Sequence, residues 1–204
     1  DPAGERHDAI WYRMGDKTYP LSHNRIRHIY EDKEQQLWIA TDGSINRYDY
    51  ATRQFIHYNI VDNTGTYNTN WTYYIFEDTA GQLWISTCLG GIFVVDKHKL
   101  MQSTSGQYIA EQNYSVHNGL SGMFINQIIP DNEGNVWVLL YNNKGIDKIN
   151  PRTREVTKLF ADELTGEKSP NYLLCDEDGL LWVGFHGGVM RINPKDESQQ
   201  SISF

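Results

Sequence analysis

The run Asp32-Lys-Glu-Gln-Gln-Leu-Trp-Ile-Ala-Thr-Asp-Gly43 decides the fold, because its pattern returns three more times along the chain. The tryptophan recurs at Trp38, Trp84, Trp137 and Trp182, spaced 46, 53 and 45 residues apart. Six residues before each stands an aspartate (Asp32, Asp78, Asp131, Asp176), and directly after each a branched aliphatic residue (Ile39, Ile85, Val138, Val183). Gly81, Gly134 and Gly179 precede their tryptophans by three, with Gln35 as the one substitution. Agreement at several fixed offsets marks a repeat array.

Each unit reads as strands. Before each tryptophan lies a run with period-two alternation, such as Ile26, His28, Tyr30 or Tyr73, Ile75, and period two means strand. The Asp-x-x-Gly step supplies turn chemistry, since the carboxylate accepts turn amides and glycine tolerates positive φ. The tryptophan segment gives a second strand. After Gly43, Gly91, Gly145 and Gly188 comes a third, ending at Asp49, Asp96, Asn150 and Asn193. Aromatic-bearing or apolar runs, Phe55 to Tyr58, Tyr108 to Tyr114 and Val156 to Phe160, close the first three units. Four antiparallel strands per unit is the size of a propeller blade.

The predicted class is therefore all-β: about four four-stranded antiparallel blades, an incomplete part of a larger, seven-bladed propeller. Residues 22–66, 67–119, 120–166 and 167–204 form blades 1 to 4. Residues 1–21 form a linker or the end of a preceding blade, to which Ile10 to Met14 would contribute an orphan strand. No stretch approaches the roughly 18 apolar residues of a membrane span, and no helical periodicity of useful length appears. A net charge of −8 without a basic cluster argues against nucleic acid, whose binding needs phosphate-neutralising side chains. An open arc exposes apolar faces and sheet edges, which native proteins cover, so self-association or contact with further blades of a parent chain is expected.

Leu21-Ser-His-Asn-Arg-Ile-Arg-His-Ile-Tyr-Glu-Asp32, Leu37-Trp-Ile-Ala-Thr-Asp-Gly43 and Ile45-Asn-Arg-Tyr-Asp49 together resemble the two-component regulator propeller repeat of hybrid histidine kinases from Bacteroides and relatives. His117-Asn-Gly-Leu-Ser121 is similar to the inter-blade linker of that family, and Phe185 to Asn193 to its third strand. The resemblance implies a periplasmic, non-catalytic input segment of a membrane-anchored sensor kinase. Its parent would detect a glycan-derived oligosaccharide and signal through a phosphorelay that controls transcription.

With the first strand innermost, the loops leading into it and those between second and third strands share one face. That face gathers His23, Arg25, Asp42, Trp71, Tyr73, Tyr141, Asn143, Lys144, Tyr172 and His186 as candidate ligand contacts, aromatics for stacking and polar groups for hydroxyls. The repeated Asp32, Asp78, Asp131 and Asp176 read as turn caps at the opposite face, and Trp38, Trp84, Trp137 and Trp182 as inter-blade core. No catalytic residue, metal site or cofactor is predicted. Cys88 and Cys175 are expected as separate thiols, because their places in the topology keep their Cα atoms beyond the roughly 7 Å a disulfide allows. Two other functions stay open: a propeller lyase or glycosidase, which needs clustered His, Tyr, Arg or carboxylates at the ring centre, and a protein-interaction scaffold.

Overall fold

The computed structural model describes residues 10–17, 20–103, 107–141, 145–160, 162, 164, 166 and 169–203. A short parallel pair, β1 (Arg13–Met14) and β2 (Pro20–Leu21), precedes the blades. Tyr12 beside it rests edge-on against Phe55 and Tyr48 of blade 1. Blade 1 is β3 (Ile26–Glu31), β4 (Leu37–Thr41), β5 (Ser44–Asp49) and β6 (Gln54–Tyr58). After β7 (Ile60–Val61) comes blade 2, with β8 (Thr72–Glu77), β9 (Gln82–Thr87) and β10 (Ile92–Asp96). Helix α1 (Lys97–Gln102), β11 (Tyr108–Ile109) and β12 (Gln112–Tyr114) follow. Blade 3 is β13 (Ile125–Pro130), β14 (Val136–Leu140), β15 (Ile146–Asn150) and β16 (Glu155–Leu159). Blade 4 is β17 (Pro170–Cys175), β18 (Leu181–Phe185), β19 (Gly188–Ile192) and β20 (Gln199–Ser203). Each blade is a four-stranded antiparallel sheet, so the expected all-β partial propeller is what forms.

Blade 2 departs from the expected single closing strand over Tyr108 to Tyr114. Asp96, which ends the third strand like its counterparts, caps a helix instead of a turn: its Oδ1 accepts from Lys99 N at 3.0 Å. The helix carries the chain past the sheet edge, and Tyr108–Ile109 pairs with β7 in parallel. Gln112–Tyr114 alone closes blade 2 against β10.

The apolar core lies between blades. Trp38 and Ala40 of blade 1 meet Ile75, Leu83 and Ile85 of blade 2. Trp84 meets Ile128, Val136 and Val138 of blade 3, and Trp137 meets Leu173, Leu181 and Val183 of blade 4. In blades 1 to 3 the tryptophan of the second strand thus faces the following blade, and in blades 2 to 4 its neighbours face the preceding one. Burial on both faces explains why these strands read as nearly continuous apolar runs. Trp38, Trp84 and Trp137 are buried and Trp182 half-buried.

A buried indole N–H needs an acceptor, and the aspartate six residues earlier provides it. Trp Nε1 donates to Asp Oδ2 at 2.9 Å in the Asp32–Trp38 pair, 2.9 Å in Asp78–Trp84, 3.0 Å in Asp131–Trp137 and 2.6 Å in Asp176–Trp182. The other carboxylate oxygen takes turn amides, those of Glu34 and Gln36 in blade 1 and of Glu133 and Asn135 in blade 3. The turn glycines hold positive φ of 79°, 84° and 80° at Gly81, Gly134 and Gly179, and Gln35 is forced to 62° in the same place.

The first strands of successive blades lie side by side at the inner edge of the arc. Side chains cross from each to the next: Ile75 N donates to His28 Nδ1 (3.3 Å), Glu77 N to Tyr30 Oη (3.0 Å), and Gln127 exchanges two hydrogen bonds with the backbone of Leu173. The His28 ring stacks on Tyr74 with centroids 3.8 Å apart. At the aspartate end, Lys97 of α1 is fully buried between blades 1 and 2, with Nζ 2.9 Å from Glu77 and 3.2 Å from Asp32. Burial opposes its charge, but these two carboxylates outweigh that and raise its pKa.

Candidate functional site

At the end of blades 1 to 3 opposite the aspartates, the residue before the first strand meets the residue after the second. Asp42 N donates to Arg25 O (3.3 Å), Cys88 N to Trp71 O (3.0 Å) and Tyr141 N to Phe124 O (2.9 Å). The predicted sharing of one face by these loops therefore has a repeated backbone hydrogen bond as its cause. Trp71 N also donates to Asp42 O at 3.1 Å, which joins the rims of blades 1 and 2.

A register shift follows at the second residue of every inner strand, between Ile26 and His28, Thr72 and Tyr74, Ile125 and Gln127, Pro170 and Tyr172. A bulge re-aims the unpaired side chain, and the residues it releases are Arg27, Tyr73, Asn126 and Asn171. Arg27 Nε lies 2.8 Å from Asp42 Oδ1, its Nη2 3.3 Å from Oδ2, and its guanidinium 4.5 Å over the Tyr73 ring. Arg25 Nη1 reaches the same Asp42 Oδ2 at 3.3 Å. Burial pushes the Asp42 carboxyl up, but the hydrogen bond and charge of Arg27, with Arg25 beyond, hold it below the usual aspartate value. The pair is thus ionised at neutral pH. Burial raises both the Tyr73 phenol and the Cys88 thiol. A small cavity of about 200 Å³ opens beside them, lined by Tyr73, Cys88, Phe124, Ile125, Asn126 and Tyr141.

The structure brings Arg25, Asp42, Trp71, Tyr73 and Tyr141 together along this rim. His23 stands at its edge, its Nδ1 accepting from Arg25 N at 3.0 Å. Tyr172 and exposed His186 belong to blade 4, away from the cavity. Asn143 and Lys144 lie outside the described residues. Trp71 holds a positive φ of 55° and leaves its indole 48% exposed; a non-glycine residue in that region costs of order 1–3 kcal/mol, which makes its position at the rim notable. The sequence reading missed Arg27 and Asn126, because period-two alternation assigns each side chain to a sheet face and cannot register a bulge. Cys88 and Cys175 are free, one at the rim and the other at the end of β17 beside the aspartate turn. Among the described residues no His, Cys, Asp and Glu group could hold a metal ion, and no helix is long and apolar enough to cross a membrane.

Residues 20–43 match the two-component regulator propeller family. A solved extracellular domain of Bacteroides thetaiotaomicron, described as belonging to a one-component system, is 98% identical with a TM-score of 0.93; the match covers 100% of this chain and 27% of that one. The extracellular domain of a hybrid two-component system from the same organism is 20% identical over 87% of this chain and 23% of its own, with a TM-score of 0.68. Virginiamycin B lyase of Staphylococcus aureus, 15% identical over 91% of this chain and 58% of its own, shares the propeller fold with a TM-score of 0.68. No curated protein matches the chain. The chain thus spans about a quarter of the length of the first of these structures and lies on the extracytoplasmic side of the membrane. The repeats that its sequence announces fold as blades around an inner edge of bulged strands, and the first of them, over residues 20–43, is similar to the two-component regulator propeller family.

Proposed function

We propose that this segment is part of the input surface of a membrane-anchored regulator, with the rim from Arg25 to Tyr141 receiving an oligosaccharide. The observation that carries the reading is the Arg27–Asp42 pair under Tyr73, beside exposed Trp71 and Tyr141. Flat aromatic faces take up the apolar faces of sugar rings, and a fixed ion pair offers both donors and acceptors to hydroxyls. The large polar reach of the rim and its lack of a nucleophile–base pair among the described residues favour binding over catalysis. A histidine-kinase phosphorelay downstream fits the hybrid two-component relative.

The apolar flanks of the arc then meet further blades of the parent chain. Ile29 is 61% exposed, whereas its equivalents Ile75, Ile128 and Leu173 are at most 1% exposed against a preceding blade. Tyr172 and Leu174 are likewise open on the far flank of blade 4. Calorimetry on the complete extracellular domain tests the proposal: Arg27→Ala and Tyr73→Ala should each weaken oligosaccharide binding about tenfold or more. Unchanged affinity in both variants sinks it.

A further inference from the structure

Another cavity lies away from the rim. It has a volume of about 660 Å³, and its walls are the loop from Asp62 to Tyr67, the closing strand of blade 2, the turn at His117 and Asn118, and Arg154 reaching over from blade 3. A second hollow of about 300 Å³ lies between Tyr67, Trp71 and Leu89. Thr66 and Tyr67 line both hollows, and Trp71 belongs both to the second hollow and to the rim. The two hollows therefore adjoin at Thr66 and Tyr67, and Trp71 places the second of them beside the rim.

The two hollows owe their existence to the irregular parts of blade 2. Ile60 and Val61 leave the blade-1 sheet to pair with Tyr108 and Ile109, which α1 has carried outward, and this pairing sets the 62–67 loop and residues 110–118 facing one another. The loop is held stiff by Asp62, whose Oδ1 accepts from Tyr67 N (2.8 Å) and whose Oδ2 accepts from the Thr64 hydroxyl (2.5 Å). Tyr67 Oη and His117 Nε2, 3.3 Å apart, join the two walls.

The chemistry of the walls names the ligand class. The two carboxylates are engaged by the protein: Asp62 as above, and Glu111 by Tyr108 Oη (2.8 Å) and Asp96 N (2.9 Å). Asn118 is engaged too, its Oδ1 accepting from Ser115 N and its Nδ2 donating to Asn113 O, both at 2.6 Å, so what remains to face a ligand is the amide and hydroxyl set Asn63, Thr66 and Gln112, with the Tyr67 ring and the Arg154 guanidinium. Such a set suits a polyhydroxylated molecule and offers an apolar one little surface to cover.

We infer that the peripheral cavity is a second subsite, and that the ligand is an extended chain of several sugar units lying from the Trp71 rim to Arg154. The inference rests on the rim reading above and adds to it the length of the ligand and the site of its outer end.

Length dependence tests it. The complete extracellular domain is screened against neutral oligosaccharides from disaccharides to octasaccharides, and the bound series is taken to calorimetry. Arg154→Ala removes a surface donor, and Thr66→Trp fills the neck shared by the two hollows; both sites are exposed, so unchanged melting temperatures serve as the folding control. Each variant should lower octasaccharide affinity about tenfold and leave the disaccharide unaffected. Octasaccharide affinity unchanged in both variants, or equal losses for short and long ligands, overturns the second subsite while the rim reading stands. Absence of binding at every length overturns both.

Discussion

The two ends of the blades obey different rules. At the aspartate end, equivalent positions hold the same residues in every blade: Asp32, Asp78, Asp131 and Asp176 each accept from an indole six residues on. At the rim, equivalent positions vary from blade to blade, with asparagine at the bulge of both blades 3 and 4 as the one repetition. The residue before the inner strand is Arg25, Trp71, Phe124 or Ser169, the one after the second strand Asp42, Cys88, Tyr141 or His186, and the one released by the bulge Arg27, Tyr73, Asn126 or Asn171. The backbone repeats at both ends, at the rim through the hydrogen bond accepted by Arg25, Trp71 and Phe124 in blades 1 to 3. Side-chain uniformity at one end therefore serves the packing that every blade shares, and variety at the other leaves a regular scaffold free to present different chemistry from each blade.

The sharpest way to break that comparison is to exchange the expected costs of the two ends. Trp137 is fully buried against blade 4, and its removal leaves a cavity and takes one hydrogen-bond donor from Asp131. Trp137→Ala should cost about 3–5 kcal/mol, read as a shift of the urea midpoint of the extracellular domain. Tyr141→Ala at the rim, where the side chain is 64% exposed, should stay within about 0.5 kcal/mol. A rim variant as damaging as the core variant would show that the rim is part of the scaffold.

A smaller effect sharpens the same contrast within the uniform end. The Asp-x-x-Gly turn demands positive φ, which glycine adopts freely and glutamine does not. Gln35, at φ 62° where the other blades hold glycine, is strained by the scaffold. Gln35→Gly should stabilise by about 1 kcal/mol, a gain measurable in the same denaturation curves; a loss of stability would mean that the Gln35 side chain makes a contribution larger than its backbone strain.

The sequence carried the uniform end almost completely and the variable end in part. Glycine, aspartate and tryptophan at fixed offsets encode turn, cap and inter-blade core, each through a local requirement that repeats. The indole–carboxylate bond was legible in principle, since a buried indole needs an acceptor and only the turn aspartate recurs with it. Arg25, Asp42, Trp71 and Tyr141 were accessible from loop position alone. Arg27 was hidden inside a strand whose alternation reads correctly until the bulge shifts it. The peripheral cavity was hidden too, because it depends on Asp96 capping α1 where its counterparts in blades 1, 3 and 4 cap a turn. The parallel pairing of residues distant in sequence that follows leaves no local trace.

Between the two ends, on the inner strands, the blades are tied by side chains that vary while the bond they make persists, and here the expected effect is smallest. His28 fills this role for blade 1: its Nδ1 accepts the Ile75 amide at 3.3 Å, and burial lowers its pKa below the usual histidine value. Protonation turns that acceptor into a donor facing an N–H. A group whose folded pKa lies below its unfolded one binds the proton first in the unfolded chain, so its contribution to stability is present above the unfolded value of about 6.5 and is lost as pH falls through the folded value. The carboxylates held low, Asp32, Asp42, Asp62 and Asp96, weaken the fold only at more acidic pH, below about 4, so the histidine window is separable from theirs. Gln127 does the same work in blade 3 with a group that does not titrate. His28→Gln should therefore flatten the fall in melting temperature between about pH 7 and pH 5 while leaving stability near neutrality little changed; a slope identical to that of the parent chain would place the titration in another group and leave the inner-strand tie at His28 without a role in it.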